Sequence, residues 1–178
     1  ARVLVSNHAS YLDSLALVAA LPVAPVFIAK GELQHKFFPR LFLRRIGARF
    51  VERSDWRRGA QDARAAVDVL REGRSLLFFP EGTLTRAPGL LPFHLGAFMA
   101  AGDAGAPVTP MVIRGTRSIL RSGSWFAHRG RIHLAIGPPL CADAEPGWDT
   151  AVALRDEARS WMLDRLGEPD LAAARTPL

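Results

Sequence analysis

The sequence contains little cysteine and no uninterrupted hydrophobic run long enough to cross a bilayer. A single cysteine, Cys141, among 178 residues excludes an internal disulfide and a metal site built on several thiolates. The longest apolar stretch, residues 14–29, is interrupted by Pro22 and Pro25 and is shorter than the roughly 20 residues that a spanning helix requires. We interpret it as a buried helix followed by a buried strand, and we find no signal-peptide pattern.

Two signatures of catalytic chemistry are also missing. No Gly-x-Ser-x-Gly segment occurs, which disfavours a serine hydrolase with a nucleophile elbow. Cys141 lies in a proline-rich segment with no histidine beside it, so we expect no covalent intermediate on this thiol. Four histidines show no spacing typical of metal ligands, and we predict no metal site from them: His35, His94, His128 and His133.

Acidic residues are outnumbered, with 17 Asp and Glu against 23 Lys and Arg and a net charge of +6. Such a surface favours anionic partners, which include phosphate ligands, acidic lipids and nucleic acid. An arginine-rich composition can equally reflect codon usage. The aromatic residues near the basic ones are clustered with leucine and do not form the pattern of a base-stacking platform, so we predict no nucleic-acid partner.

Strand-like and helix-like segments alternate along the chain. Apolar β-rich runs occupy residues 2–6, 23–29, 49–52, 75–79, 108–113 and 132–136. Helical patterns cover residues 11–21, 57–71, 95–103 and 149–166, with Ser10 and Asp149 as expected N-caps. This order predicts an α/β domain whose central sheet is mostly parallel, or mixed, and is flanked by helices on both faces. We assign residues 1–166 to this domain, expect it to be cut from a longer chain, and predict a loose tail at 167–178.

The first cluster of chemically active residues is Asn-His-Ala-Ser-Tyr-Leu-Asp at residues 7–13, directly after the first strand. Ligands of parallel sheets bind at the carboxyl ends of the strands, so His8 is placed as a candidate general base. Asp13 is close enough to fold back onto the imidazole and orient it. The same spacing from Ser10 to Asp13 also fits a capping box, which needs no catalytic explanation.

The second cluster is Phe-Pro-Glu-Gly-Thr at residues 79–83, after the most apolar strand. Gly82 allows backbone amides to approach a ligand closely, and Glu81 offers a hydrogen-bond acceptor. An ordinary strand-to-helix turn would also use a Pro-x-Gly sequence.

Together these clusters resemble the glycerolipid acyltransferase family, the 1-acyl-sn-glycerol-3-phosphate acyltransferases that make phosphatidic acid from lysophosphatidic acid. The resemblance covers about residues 3–138 and consists of four blocks in the family's order. These are N-H-x-x-x-x-D at residues 7–13, G-x-x-F-I-D-R at 47–53, F-P-E-G-T-R-S at 79–86 and V-P-V at 108–112.

Two departures from the family pattern concern the acceptor headgroup more than the reaction. The arginine that follows the threonine directly in the family comes later here, as Arg86. The Phe-x-x-Gly segment at residues 93–96 has no lysine, which the family often carries there.

The resemblance implies a mechanism and a set of substrate contacts. His8, oriented by Asp13, would take the proton of the acceptor hydroxyl, which then attacks a thioester directly. Arg53 is the first choice for the acceptor phosphate because a guanidinium fork matches phosphate oxygens in pairs. Glu81 would position acceptor hydroxyls or a neighbouring arginine. The full set of implied substrate-binding residues is Arg53, Glu81, Gly82, Thr83, Arg86 and Lys30.

The resemblance also implies partners and a location. The co-substrate would be acyl-CoA or acyl carrier protein, with no further cofactor, and the acceptor a lysophospholipid. Residues 33–46 interleave aromatic and cationic side chains, which is typical of a helix on an anionic membrane surface, although the aromatics could instead be core. We expect the cytoplasmic face of a membrane, reached peripherally or through segments outside this chain. Two alternatives stay open, namely another lysophospholipid or alcohol acceptor and a catalytically silent lipid-binding domain.

Overall fold

Strands and helices alternate as predicted in the parts of the chain that the structure describes. A computed structural model describes residues 1–30, 49–51, 56–84, 87–121, 126–142 and 145–172. Its strands are β1 Val3–Ser6, β2 Val26–Lys30, β3 Arg49–Val51, β4 Leu76–Phe78, β5 Val108–Arg114 and β6 His133–Ile136. Its helices are α1 Leu12–Ala20, α2 Trp56–Arg71, α3 Gly96–Ala104, α4 Thr116–Ile119 and α5 Trp148–Leu166.

The strands form one mixed sheet in the order β3-β2-β4-β1-β5-β6. All neighbouring pairs are parallel except β5 and β6, so the predicted mostly parallel sheet is confirmed. β1 lies between β4 and β5, with Leu4 opposite Leu77 on one side and Thr109 on the other. Because β1 to β4 run in the same direction, their carboxyl ends meet at one edge of the sheet.

Alternate residues of each strand face opposite sides of the sheet and supply two separate cores. Val3 and Val5 join the larger cluster, which includes Phe98 of α3 and Leu154 of α5. Leu4 joins a smaller cluster that includes Leu17 of α1. Helices therefore cover both faces, as predicted, with α2, α3 and α5 on one face and α1 on the other.

Both predicted N-caps differ from the structure. α5 begins at Trp148 with Gly147 at the N-cap, where no side chain caps the helix, and Asp149 lies inside the first turn. α1 has Tyr11 at its N-cap. The Ser10 hydroxyl does accept a hydrogen bond from Leu12 N at 3.2 Å, but it lies one residue before the cap position. The predicted N-caps therefore lie one and two residues away from the observed ones, which is the usual uncertainty of a helix boundary.

The predicted tail is ordered over its first residues. Residues 168–172 pair with residues 89–91, through Leu90 N to Pro169 O at 2.9 Å and Leu171 N to Leu90 O at 3.0 Å. The first residues of the predicted tail therefore have backbone hydrogen bonds to a buried loop. Residues 173–178 and the predicted membrane segment 33–46 lie outside the described residues. Within the described ranges, no helix combines the length and apolarity needed to cross a membrane.

Candidate active site

Asn7 fixes the point at which the chain leaves the sheet after β1. Its side-chain amide donates to Ile113 O at 2.9 Å and accepts from Ile113 N at 2.8 Å, and the contact is buried. The side chain thus continues the pairing between β1 and β5 by one step while the backbone turns away. This turn directs the β1–α1 loop, residues 7–11, to the carboxyl edge of the sheet.

His8, in this loop, and Asp13, in the first turn of α1, lie in contact as the sequence predicts. His8 Nδ1 lies 2.9 Å from Asp13 Oδ2, and the carboxylate is fully buried. The same oxygen accepts the backbone N–H groups of Ala9 and Ser10, each at 2.7 Å. Asp13 thus bonds the Ser10 amide, as the carboxylate of a capping box does, although Tyr11 is the N-cap, and it also contacts the imidazole.

The His8 ring is packed on one side and reachable on the other. Phe79 stacks on it with ring centroids 4.2 Å apart and an interplanar angle of 19°. The side chain keeps 19% of its surface exposed, so a small hydroxyl can reach it. Because Nδ1 is bonded to Asp13, Nε2 is the nitrogen left to accept a substrate proton.

Glu81 is buried beside this pair and holds the β1–α1 loop by its backbone. Its Oε1 accepts His8 N at 2.7 Å, and its Oε2 accepts Leu91 N at 3.0 Å. Burial raises the pKa of the Glu81 carboxyl above its ordinary value. The two hydrogen bonds from backbone amides and the nearby His8 oppose this rise in pKa, whereas the charge of Asp13 adds to it. Glu81 therefore contacts the catalytic loop itself, beside any role toward the acceptor.

Gly82 closes the turn that places Glu81 inward. Its φ of 69° is in the left-handed region, which glycine adopts without strain, and its N–H bonds Phe79 O at 3.0 Å. The next residue, Thr83, is exposed. The turn thus separates a buried carboxylate from an accessible hydroxyl at the same edge of the sheet.

Comparison with known proteins identifies a family that matches the part of the chain containing this arrangement. A protein-family model described as Acyltransferase matches residues 1–114, which contain every residue of the contacts described above. The chain belongs to the acyltransferase family. The predicted resemblance is therefore confirmed at the level of the family.

Relatives of the acyltransferase chain come from plants, animals and bacteria. A chloroplastic 1-acyl-sn-glycerol-3-phosphate acyltransferase of Brassica napus is 31% identical over 159 residues, 89% of this chain and 44% of the relative. The alpha form of Mus musculus is 32% identical over 165 residues, 90% of this chain and 57% of the relative. That of Neisseria gonorrhoeae is 37% identical over 111 residues, 61% of this chain and 42% of the relative. The chain thus spans about half the length of these relatives.

A solved structure shares the fold. The crystal structure of the 1-acyl-sn-glycerophosphate acyltransferase PlsC from Thermotoga maritima matches with a TM-score of 0.66 and 25% identity. The match covers 90% of this chain and 66% of that one. The glycerolipid acyltransferase-like fold predicted from the motifs is therefore confirmed.

Five of the eight predicted site residues of this acyltransferase are brought together in the structure. His8 lies in the β1–α1 loop, Asp13 in the first turn of α1, and Glu81, Gly82 and Thr83 in the turn after β4, all at the carboxyl edge of the sheet. Lys30 ends β2 at that same edge, by backbone position. Arg53 and Arg86, the first two candidates for binding phosphate, lie outside the described residues, so their roles stay predictions, as does that of Lys30, the third.

Three contributors to the acyltransferase site were not predicted. Asn7 and Phe79 stand inside the recognised motifs, but nothing in the sequence shows that one pairs with β5 and the other stacks on the imidazole. The third is Leu120, whose carbonyl accepts the Ser10 hydroxyl at 2.7 Å across 110 residues of chain. A contact of such sequence separation becomes visible only once the sheet order is known.

Proposed function

We propose that this acyltransferase moves a fatty acyl group from acyl-CoA or acyl carrier protein to the hydroxyl of lysophosphatidic acid, giving phosphatidic acid. The observation that carries the proposal is the hydrogen bond of 2.9 Å between His8 Nδ1 and the fully buried carboxylate of Asp13, with the imidazole still partly exposed. The acceptor is supported by the names of the relatives, which are 1-acyl-sn-glycerol-3-phosphate acyltransferases.

The reaction is a single displacement at the thioester carbonyl. His8 Nε2 takes the proton of the acceptor hydroxyl as its oxygen forms a bond to the carbonyl carbon. The carbon–sulfur bond then breaks, and the thiolate leaves with the proton returned from the imidazolium. Asp13 stabilises the transient positive charge of the ring, and no group of the protein is acylated.

The acceptor phosphate would bind beside this edge of the sheet. Arg53 is the first candidate because its guanidinium can pair with two phosphate oxygens, and Arg86 and Lys30 are the others. Thr83 is exposed, which supports it as a contact for the acceptor, whereas the hydrogen bonds from backbone amides to Glu81 favour a role in holding the β1–α1 loop. The surplus of basic residues, which gives a net charge of +6, supports binding at the anionic cytoplasmic face of a membrane.

A lysolipid panel tests the reaction and the acceptor together. The panel compares lysophosphatidic acid, lysophosphatidylcholine, lysophosphatidylethanolamine and monoacylglycerol, each with acyl-CoA and with acyl carrier protein thioester. We expect turnover of lysophosphatidic acid, and a loss of about 10²–10⁴-fold in kcat for His8→Ala, which is the usual contribution of general-base catalysis. Preference for another acceptor would replace the assigned substrate and leave the chemistry standing.

Two further outcomes bear on the mechanism. Turnover that survives His8→Ala at its full rate would show that the imidazole is not the base. Mass spectrometry of the chain incubated with the donor alone should find no acylated residue, and Cys141→Ser should leave kcat unchanged because this thiol is exposed and lies outside the site. A chain that binds lysolipid but never transfers an acyl group would instead be a silent lipid-binding domain.

A further inference from the structure

Residues 168–172, which we name the C-terminal strap, lie along the loop that follows the Glu81 turn. Leu90 is fully buried and forms a parallel bridge with Asp170. Gly89 has a φ of 137°, and a Cβ at this position would come within 2.5 Å of the Leu171 side chain. The absence of a side chain at Gly89 therefore lets the strap approach the loop closely.

Glu168 joins this loop to a second segment. Its Oε2 accepts Gly89 N at 2.7 Å. The guanidinium of Arg117, on α4, binds both carboxylate oxygens, with Nη2 at 3.1 Å from Oε2 and Nη1 on Oε1. The two side chains are 21% and 23% exposed, so this forked ion pair is partly shielded from water.

The two joined segments hold the β1–α1 loop, one through Glu81 and the other directly. Two residues beyond Gly89, Leu91 N bonds Glu81, which in turn bonds His8 N. One residue beyond α4, the carbonyl of Leu120 accepts the Ser10 hydroxyl. The loop that carries His8 is therefore held from two sides, by the 89–91 loop through Glu81 and by Leu120. The carboxylate of Glu168 joins these two segments.

We propose that Glu168 is a positioning residue for the catalytic histidine. It fixes the separation between the 89–91 loop and α4, and so fixes where Glu81 and Leu120 hold the His8 backbone and Ser10. The effect on turnover rests on the proposed function, whereas the effect on the geometry of the His8 ring does not.

If Glu168 only stabilised the fold, its loss would lower kcat only as far as it lowers the fraction of folded chain. Partly exposed ion pairs add little to the stability of a fold. The strap is also attached independently of Glu168, because Arg159 donates to Asp170 and to Leu90 O. Loss of the Glu168 carboxylate should therefore change catalysis more than it changes unfolding.

The test uses Glu168→Gln in the 178-residue chain. The amide oxygen of glutamine can still accept Gly89 N, but the amide nitrogen cannot pair with Arg117. We expect kcat with lysophosphatidic acid and acyl-CoA to fall about tenfold, since small misplacements of catalytic groups have effects of this order, and KM to stay within about twofold. Arg117→Lys, which keeps the charge with a single donor, should show a smaller fall.

Asp156→Asn is the matched control, because Asp156 pairs with Arg155 on the exposed face of α5 and has no link to the loop. It should leave kcat unchanged. Urea unfolding of all variants identifies any loss of folded chain. A fall in kcat that merely follows the lost folded fraction would overturn the proposal.

A second readout needs no activity. The chain has five histidines, so selective ¹⁵N labelling gives a small set of ring signals, and that of His8 is identified by its loss in His8→Gln. Glu168→Gln should move the His8 signal, which senses the Phe79 ring stacked on it, and leave that of His133 in β6 in place. An unmoved His8 signal overturns the proposal whatever happens to kcat. A moved signal in a chain without turnover supports the positioning role and removes the proposed function instead.

Discussion

The two faces of the sheet are held together by different forces. The larger cluster, under α2, α3 and α5, buries large side chains such as Phe98 and Met162. The smaller cluster, under α1, contains Leu17 and five other buried residues, all of them from the strands. The β1–α1 loop continues into α1 and therefore belongs to the face on which fewer of the described residues are buried apolar ones.

Hydrogen bonds to buried polar groups replace packing near the site. Asn7, Asp13 and Glu81 are all buried, and each binds backbone groups of the loop or of a neighbouring strand. Such bonds are directional, and apolar contacts are not. We infer that residues on the face of α2, α3 and α5 mainly stabilise the fold, whereas polar residues on the face of α1 fix the positions of the site residues. Variants on the first face should change the free energy of unfolding, and variants on the second should also change kcat.

The largest effect is expected from Asp13→Asn, which removes the carboxylate behind the imidazole. The neutral amide cannot stabilise the imidazolium, so kcat should fall about 10²–10⁴-fold. Steady-state turnover of lysophosphatidic acid measures this. Asp149→Asn is the control, since Asp149 is also a first-turn aspartate but is exposed on α5. Equal rates for the two variants would remove Asp13 from the mechanism.

A pair of core variants separates the faces directly. Phe98→Ala should lower the free energy of unfolding by about 3–5 kcal/mol and leave kcat of the folded chain unchanged. Leu17→Ala should lower it by about 2–5 kcal/mol and also reduce kcat, because α1 carries Asp13 in its first turn. Urea unfolding and turnover at a temperature where both variants are folded give the two quantities. Similar effects of both variants on kcat would contradict the division between faces.

A smaller effect is expected from Phe79→Leu, which removes the ring stacked on His8. Aromatic pairs contribute about 0.5–1.5 kcal/mol beyond their buried area, so kcat should fall between about two- and tenfold. Phe79→Tyr keeps the stack and should restore most of the rate. Phe78→Leu is the neighbouring control, because Phe78 joins the larger cluster on the opposite face. A rate loss in Phe78→Leu as large as in Phe79→Leu would mean that stacking is irrelevant.

The smallest effect is a pH dependence of stability caused by Glu81. Burial raises its pKa above the ordinary value of 4.5, so the folded chain keeps this proton to a higher pH than the unfolded chain. Its contribution to stability is fully present below pH 4.5 and is lost as the pH rises through the folded pKa. Urea unfolding measured from below pH 4.5 to above the folded pKa should show the free energy of unfolding of the parent chain falling relative to that of Glu81→Gln. The same pH dependence in both chains would contradict the raised pKa of Glu81.

Much of this architecture follows from local sequence. Apolar strands and helices of ordinary length were predicted because their side-chain periods differ. His8 and Asp13 were predicted to meet because His8 follows a strand and Asp13 comes only five residues later. The four-residue helix α4 was missed because it is too short for a period to show. The strap was missed for another reason. Its bonds to residues 89–91 depend on the sheet order, and no local pattern encodes them.

Asn7 has a consequence for how the sheet ends. A strand that simply stops leaves the N–H and C=O of its neighbour open to solvent, and that neighbour frays. Here an amide side chain occupies the place of the next residue, so β5 stays paired through Ile113 although β1 has already turned away. The Ile113 amide should exchange with deuterium as slowly as the middle of the sheet. Exchange as slow as that would show that the edge from which the loop departs is held as firmly as the sheet interior.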